Sequence, residues 1–322
     1  MSLPAIPVPD FHLVPGESIA SGLRRMSMEQ FEVALTGLSD SKVDRDGAIH
    51  EMRKSTKRVR ALLRMVRPGI GEKVYRAENA VLRDAAARVS GVRDGAVMVD
   101  AVRRIRARYG HLLAPAVFHD VEQRLVDRHL RMAARVLDDE ATIQHLVKVL
   151  YRARSRYAAW PVDPDDPRYG KKAIPAGFAA VGPGILSTYS RGRREMTRSY
   201  DRLTVESFHA WRKRVKYLRH QMEILAPVWP EVIGGLASSL AALGDVLGDE
   251  HDHAEMVRLV ASVPDLVDDP DERNLLVALS QQRRRELQAA ARVMGARIFA
   301  EPPDRFATRL RAYWTAWSFG VD

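Results

Sequence analysis

His50-Glu51-Met52-Arg53-Lys54-Ser55-Thr56-Lys57-Arg58-Val59-Arg60 and His209-Ala210-Trp211-Arg212-Lys213-Arg214-Val215-Lys216-Tyr217-Leu218-Arg219 are one pattern written twice, 159 residues apart. Aligned on their histidines, the stretches match at Arg53/Arg212, Lys54/Lys213, Lys57/Lys216 and Arg60/Arg219, and a proline follows each at the same offset, Pro68 and Pro227. Self-similarity across half the chain marks a duplicated architecture. A histidine and four cations common to both copies imply a two-sided receptor for something polyanionic.

At about 100° per residue, positions 50, 53, 54, 57, 60 and 64 share one helix face. Met52, Val59, Leu62, Leu63 and Val66 occupy the opposite face. In the second copy His209, Arg212, Lys213, Lys216 and Arg219 face one way, and Trp211, Val215, Leu218, Met222 and Leu225 the other. Each helix is expected to bury an apolar stripe and present a cationic one. A charged stripe is often only a solvated face. Here the carboxylates that normally neutralise such a face are scarce, with Glu51 and Glu223 alone intervening.

The 322 residues allow one large or two medium domains, and 46% hydrophobic content suits a packed core. The net charge of +10 and pI of about 10.0 favour nucleic acid, an anionic surface or another polyanion as partner. Residues 48–67, 191–202 and 206–225 together carry +12, so the rest of the chain is near −2 and the charge is a patch. Only nine of the 51 basic residues are lysines, and arginine's planar fork suits bidentate phosphate contacts. A GC-rich genome also favours arginine, but two of the four matched cation pairs are lysines. The absence of cysteine excludes disulfides, thiolate metal sites and cysteine nucleophiles. The Pro-rich start, Met1 to Pro15, does not read as a signal peptide. The weakly polar run Val232 to Gly244 is short of the ~20 residues that span a bilayer. A soluble, cytoplasmic protein without membrane contact is expected.

Helical periodicity dominates and alternating strands are absent, so the fold class is all-α. Helices are expected near 17–37, 43–67, 72–91, 93–110, 115–137, 140–158, 177–199, 204–226, 230–247, 250–262, 271–299 and 303–317, separated by Pro, Gly and Asp breaks. The organisation follows: a Pro-rich segment 1–16, a first helical half 17–158, a linker 159–184 and a second half 185–322. Each half is expected to be a helical bundle. Facing cationic stripes that share one ligand argue for a single body.

The two His-x-x-Arg-Lys-x-x-Lys-x-x-Arg segments resemble the CHAD family, the conserved-histidine α-helical domain. The Tyr189-Ser190-Arg191-Gly192-Arg193-Arg194 run and the Leu243-Gly244-Asp245-Val246-Leu247-Gly248-Asp249-Glu250-His251-Asp252 turn fit the same resemblance, which spans about Glu17 to Phe319. It implies two four-helix-bundle-like halves related by pseudo-twofold symmetry around a basic central cavity. It further implies binding of inorganic polyphosphate, association with polyphosphate granules and their proteins, and no cofactor. By matching positions the resemblance assigns His50, Arg53, Lys54, Lys57, Arg60 and Arg64 to the site with His209, Arg212, Lys213, Lys216 and Arg219. Arg24, Arg25, Arg191, Arg193, Arg194 and Arg198 join them, with Arg83 and Arg93 as weaker candidates. The first half departs from the pattern, with Ser90-Gly91 where Leu-Gly is expected and Arg93 opposite His251. No Glu-x-Glu-x-Lys strand of a triphosphate tunnel domain is present, so a stand-alone, non-catalytic binding module is expected.

The histidines either donate to phosphate, with binding strengthened near pH 6 where imidazole charges, or fix the rotation of their helices. Two other functions compete. Asp249, His251, Asp252, His253 and Glu255, with His119-Asp120, suggest a His/Asp phosphohydrolase, but residues two apart on a helix point to different sides. The charge also suits nucleic acid, yet no helix-turn-helix, zinc finger or aromatic-interleaved basic surface is found, and Trp211, Tyr217 and Trp229 read as core. Other polyanions remain alternative partners.

Overall fold

Helices in this chain begin where a short polar side chain can take up a free backbone N–H. Asp44 accepts from Gly47 N at 3.0 Å and Thr204 from Ser207 N at 3.2 Å, and these caps start the two basic helices. The computed structural model describes residues 10–40, 44–114, 116–137, 139–160 and 174–319, without the side chains of 92–94, 136–137 and 319. Among the described residues there is no strand. The first six helices are α1 (Ile19–Ser39), α2 (Arg45–Ile70), α3 (Glu72–Arg88), α4 (Ser90–Tyr109), α5 (His119–Leu137) and α6 (Glu140–Ala158). They are followed by α7 (Gly182–Arg202), α8 (Val205–Leu225), α9 (Gly235–Ser262), α10 (Pro270–Ile298) and α11 (Pro303–Phe319). Within the first half α1 packs on α2 and α6, α2 on α3, and α4 on α5; within the second, α7 packs on α8 and α11, α8 on α9, and α9 on α10.

The apolar stripes of the repeated segments enter the core. Met52, Val59, Leu62, Leu63 and Val66 are buried, as are Trp211, Val215, Leu218, Met222 and Leu225. Each such side chain contributes about 1.5–3 kcal/mol. The halves do not keep separate cores. Leu23 and Met26 of α1 and Leu62, Met65 and Val66 of α2 form one cluster with Ile185, Tyr189, Trp211, Leu218, Leu240 and Phe306 of the second half. A second cluster joins α1, α2, α3 and α6 through Phe31, Leu63, Leu82, Leu146 and Tyr157. In a third, Ile105 of α4 and Leu125 of α5 pack on Met256, Val260 and Leu276 of α9 and α10. The α4–α5 hairpin therefore reaches across to the second half and walls off the space above the basic helices.

Several boundaries differ from the sequence expectation. The break between 247 and 250 does not exist, and α9 runs through Gly248-Asp249. Each glycine costs about 1 kcal/mol in helix propensity, but here both lie on the face packed against α8. A Cβ on Gly244 would stand 3.8 Å from Val215 Cγ1, and one on Gly248 would stand 3.6 Å from the Arg212 guanidinium. Tertiary packing outweighs propensity. Within the segment 1–16, Phe11 and Leu13 are buried and Leu13 N donates to Ile224 O at 3.1 Å, while residues 1–9 lie outside those described. Most of the linker, 161–173, also lies outside the described residues. Trp229, read as core, is 42% exposed and meets the Tyr313 ring edge-on. With its leading turn, α9 (Pro230–Ser262) is long and apolar enough to cross a membrane by length and composition, which the short run Val232–Gly244 did not suggest. Its Leu240, Leu243 and Leu247 are buried against neighbouring helices, as in a core helix.

Helix α2 continues past Pro68 to Ile70 and ends at Gly71, whose φ of 81° only glycine adopts readily. Lacking an N–H, Pro68 leaves the Arg64 carbonyl without its helical donor, and α7 crosses at that point. A Cβ on Gly184 would fall 1.9 Å from Met65 O and 2.7 Å from Arg64 O. Backbone cannot swing aside as a side chain does, so Gly184→Ala is expected to destabilise the fold by about 3 kcal/mol. A urea unfolding midpoint equal to that of the parent protein would show that α7 and α2 do not meet backbone to backbone.

Candidate polyanion-binding cavity

The two cationic stripes face a common cavity of 960 Å³. Helix α2 contributes His50, Arg53, Lys57 and Arg60, and α8 contributes His209, Arg212, Lys213 and Lys216. Arg104 of α4, Arg128 of α5, His220 of α8 and Arg258 and His251 of α9 add to the basic lining. Asp245, Asp249, Asp252 and Glu255, all on α9, are the acidic part of the wall.

These carboxylates are mostly engaged away from the stripes. Asp252 lies 3.0 Å and Asp249 3.7 Å from Arg104, and Glu255 lies 3.2 Å from Arg258. Lys213 and Lys216 have no ion-pair partner among the described residues, and the buried Nε of Arg212 has no acceptor there. Helix α3 fixes the α2 stripe: Arg53 donates to the Ala86 carbonyl at 2.9 Å and Arg60 Nε to Asn79 Oδ1 at 3.1 Å. The His209 and His251 rings lie 4.6 Å apart between centroids, and the Nδ1 of each is buried without a partner.

Burial and like charge shift the titration of the whole group. Burial, then Arg212 and Lys57, bring Lys216 down to about 7. Burial also holds Arg212 below its ordinary value. His209 falls to about 4 through burial and the charges of Lys213, Arg212 and Lys216, and His251 falls to about 3 through burial, Arg212 and His209. Both imidazoles are therefore neutral at pH 6 with no anion beside them, and of the two histidines of the repeated pattern this concerns His209. Burial pushes Asp252 up to about 6 against the pull of Arg212 and Arg104. A cavity that disfavours its own cations is one that an anion relieves.

A base whose folded pKa lies below the unfolded value binds fewer protons in the folded state, so stability falls as pH drops below about 6.5. His209, His251 and His253 (about 4), together with buried His220, all act in this direction, whereas Asp252 opposes them between 3.8 and about 6. The midpoint of thermal unfolding is expected to fall between pH 6.5 and 4.5. A flat profile there would mean that these imidazoles are not buried in the neutral form.

Not every candidate reaches the cavity. Lys54 lies 3.3 Å from Glu51 and Arg219 lies 2.7 Å from Glu223, so the two glutamates of the stripes each take one matched cation. Arg25 is held by Glu17 at 2.6 Å and Glu29 at 3.2 Å, and neither it nor Arg24 lines the cavity. Arg83 pairs with Asp84 at 2.7 Å on the surface, and Arg198 approaches Glu195 at 3.9 Å. Arg193 and Arg194 are exposed on α7, outside the cavity lining. Arg64 and Arg191 line a separate pocket. The side chain of Arg93 lies outside the described residues.

The sequence reading missed Arg104, Arg128 and Arg258 and did not count His251 with the anion ligands. No local pattern announces these residues, because the α4–α5 hairpin and α9 meet only in the tertiary fold. His251 and His253 do point to different sides of α9: His251 lines the cavity, whereas His253 is fully buried outside its lining. Among the described residues no group of three or more His, Asp or Glu side chains is placed to hold a metal ion.

The family model of the CHAD domain matches residues 29–261. Among solved structures, PptA from Streptomyces chartreusis superimposes with a TM-score of 0.62, covering 88% of this chain and 100% of that one at 14% sequence identity. No curated protein matches the chain.

Proposed function

Because the chain belongs to the CHAD domain family, we propose that it is a non-catalytic receptor for inorganic polyphosphate, which it holds between the α2 and α8 stripes. The observation that carries this reading is the set of donors left unanswered in the cavity: Lys213 and Lys216 without an ion pair and Arg212 Nε without an acceptor, opposite Lys57 and Arg60. Polyphosphate offers about one negative charge per phosphate and no bases to read, so recognition comes from charge, donor placement and shape. Guanidinium forks and lysine ammoniums supply all three. Association with polyphosphate granules in the cytoplasm follows from the same reading.

Titration with long-chain polyphosphate across a salt series tests it. Affinity is expected to fall linearly in a double-logarithmic plot, as for other polyelectrolytes that release counterions. The chain length, followed by gel, should remain unchanged after prolonged incubation. Salt-independent binding would contradict the charge-based reading, and progressive shortening of the chain would contradict the non-catalytic one.

A further inference from the structure

A second, smaller basic pocket of 370 Å³ lies where α2, α3, α7 and α8 converge. Arg64, Arg67, Arg191 and Arg214 line it, with Glu72 as its acidic residue. Glu72 is already engaged, by Arg67 at 2.7 Å and Arg76 at 2.5 Å. Arg191 and Arg214 have no ion-pair or hydrogen-bond partner among the described residues, and the buried Nε of Arg214 has no acceptor. Burial and the neighbouring charges of Arg214 and Arg67 hold Arg191 below its ordinary value. Donors gathered in this way and left without acceptors call for an anion from outside the chain.

The pocket adjoins the central cavity through a single layer of side chains. The Arg64 guanidinium lies 3.8 Å from the centroid of the Tyr217 ring and donates to Asn79 Oδ1 at 3.1 Å. Arg60 donates to the same oxygen at 3.1 Å. Tyr217 and Arg60 line the central cavity, whereas Arg64 lines the second pocket. Asn79 thus holds one arginine of each site. Gly184, by letting α7 lie against the α2 backbone, places Arg191 about two turns farther along α7 at the edge of the pocket.

We propose that this pocket is a second phosphate subsite, and that one polyphosphate chain occupies both sites by crossing the Arg60–Asn79–Arg64 layer. The inference rests on the central-cavity reading for its ligand class, although the unpartnered arginines are a separate observation. Long chains then bind more tightly than short ones through the gain of linked sites rather than through charge alone.

Calorimetric titration at low salt with pyrophosphate, and then with long-chain polyphosphate, tests it. The parent protein is expected to take two pyrophosphates. Arg191→Gln with Arg214→Gln should take one and should bind the long chain roughly tenfold more weakly or worse. Ser187→Glu, which adds a carboxylate to the pocket wall from an exposed position on α7, should do the same without removing a cation. Lys57→Glu with Lys213→Glu should leave one pyrophosphate, now in the second pocket. A single pyrophosphate in the parent, or two together with unchanged long-chain affinity in the Arg191/Arg214 variant, overturns the second subsite. Unchanged pyrophosphate and long-chain binding in the Lys57/Lys213 variant overturns the central-cavity reading instead, so the two failures are distinguishable.

Discussion

Replacing Lys57 and Lys213 together by glutamate is expected to weaken long-chain polyphosphate binding by at least roughly a hundredfold while the helices stay folded. The two lysines stand on different basic helices, α2 and α8, and line the same cavity. Both are exposed, so reversal leaves no buried, uncompensated charge to unfold the protein. Each reversal removes an attraction to phosphate and adds a repulsion. A control of equal charge change, Lys148→Glu with Arg305→Glu, alters exposed positions on α6 and α11 away from the cavity. If affinity reflects position, the control changes it by no more than a few-fold. Equal losses in both double variants would mean that only net charge matters.

The second large effect is a pH dependence set by Lys216. Its pKa is about 7, lowered by burial and by Arg212 of its own helix and Lys57 of α2, with Asp252 and Asp245 of α9 pulling the other way. A phosphate chain beside it favours the ammonium and raises that value toward the ordinary range. Binding is then accompanied by proton uptake at every pH between the free and bound values. Affinity is full below about pH 7 and declines above it, by up to about tenfold per pH unit for one coupled proton. Lys216→Arg keeps its charge across this range and should flatten the profile between pH 7 and 9. An unaltered slope in that variant would assign the titration to another group.

The two stripes were readable in the sequence because a 3.6-residue period separates Met52, Leu62 and Val66 from His50, Arg53 and Lys57 without knowledge of the tertiary fold. What the period does not reveal is which cations a glutamate of their own helix engages. Lys54 and Arg219 belong to the repeated pattern as fully as Lys57 and Arg60, yet each has a glutamate three or four residues away on its own helix. The neutralising pairs were visible in sequence, but their consequence depends on rotamers that neighbouring helices select. Arg104, Arg128 and Arg258 were not visible at all, since their place depends on α4 and α5 docking against α9. Gly244 and Gly248 misled for the reverse reason. Glycine's local preference for a turn pointed to a helix break, whereas packing against Val215 and Arg212 kept α9 continuous.

A cavity shaped for a phosphate chain discriminates among polyanions where a merely basic surface does not. Titration with long-chain polyphosphate at near-physiological salt, with duplex DNA and heparin as competitors, separates the two. Binding that neither competitor displaces efficiently at equal charge concentration is expected. Displacement in proportion to charge by all three polyanions would contradict it.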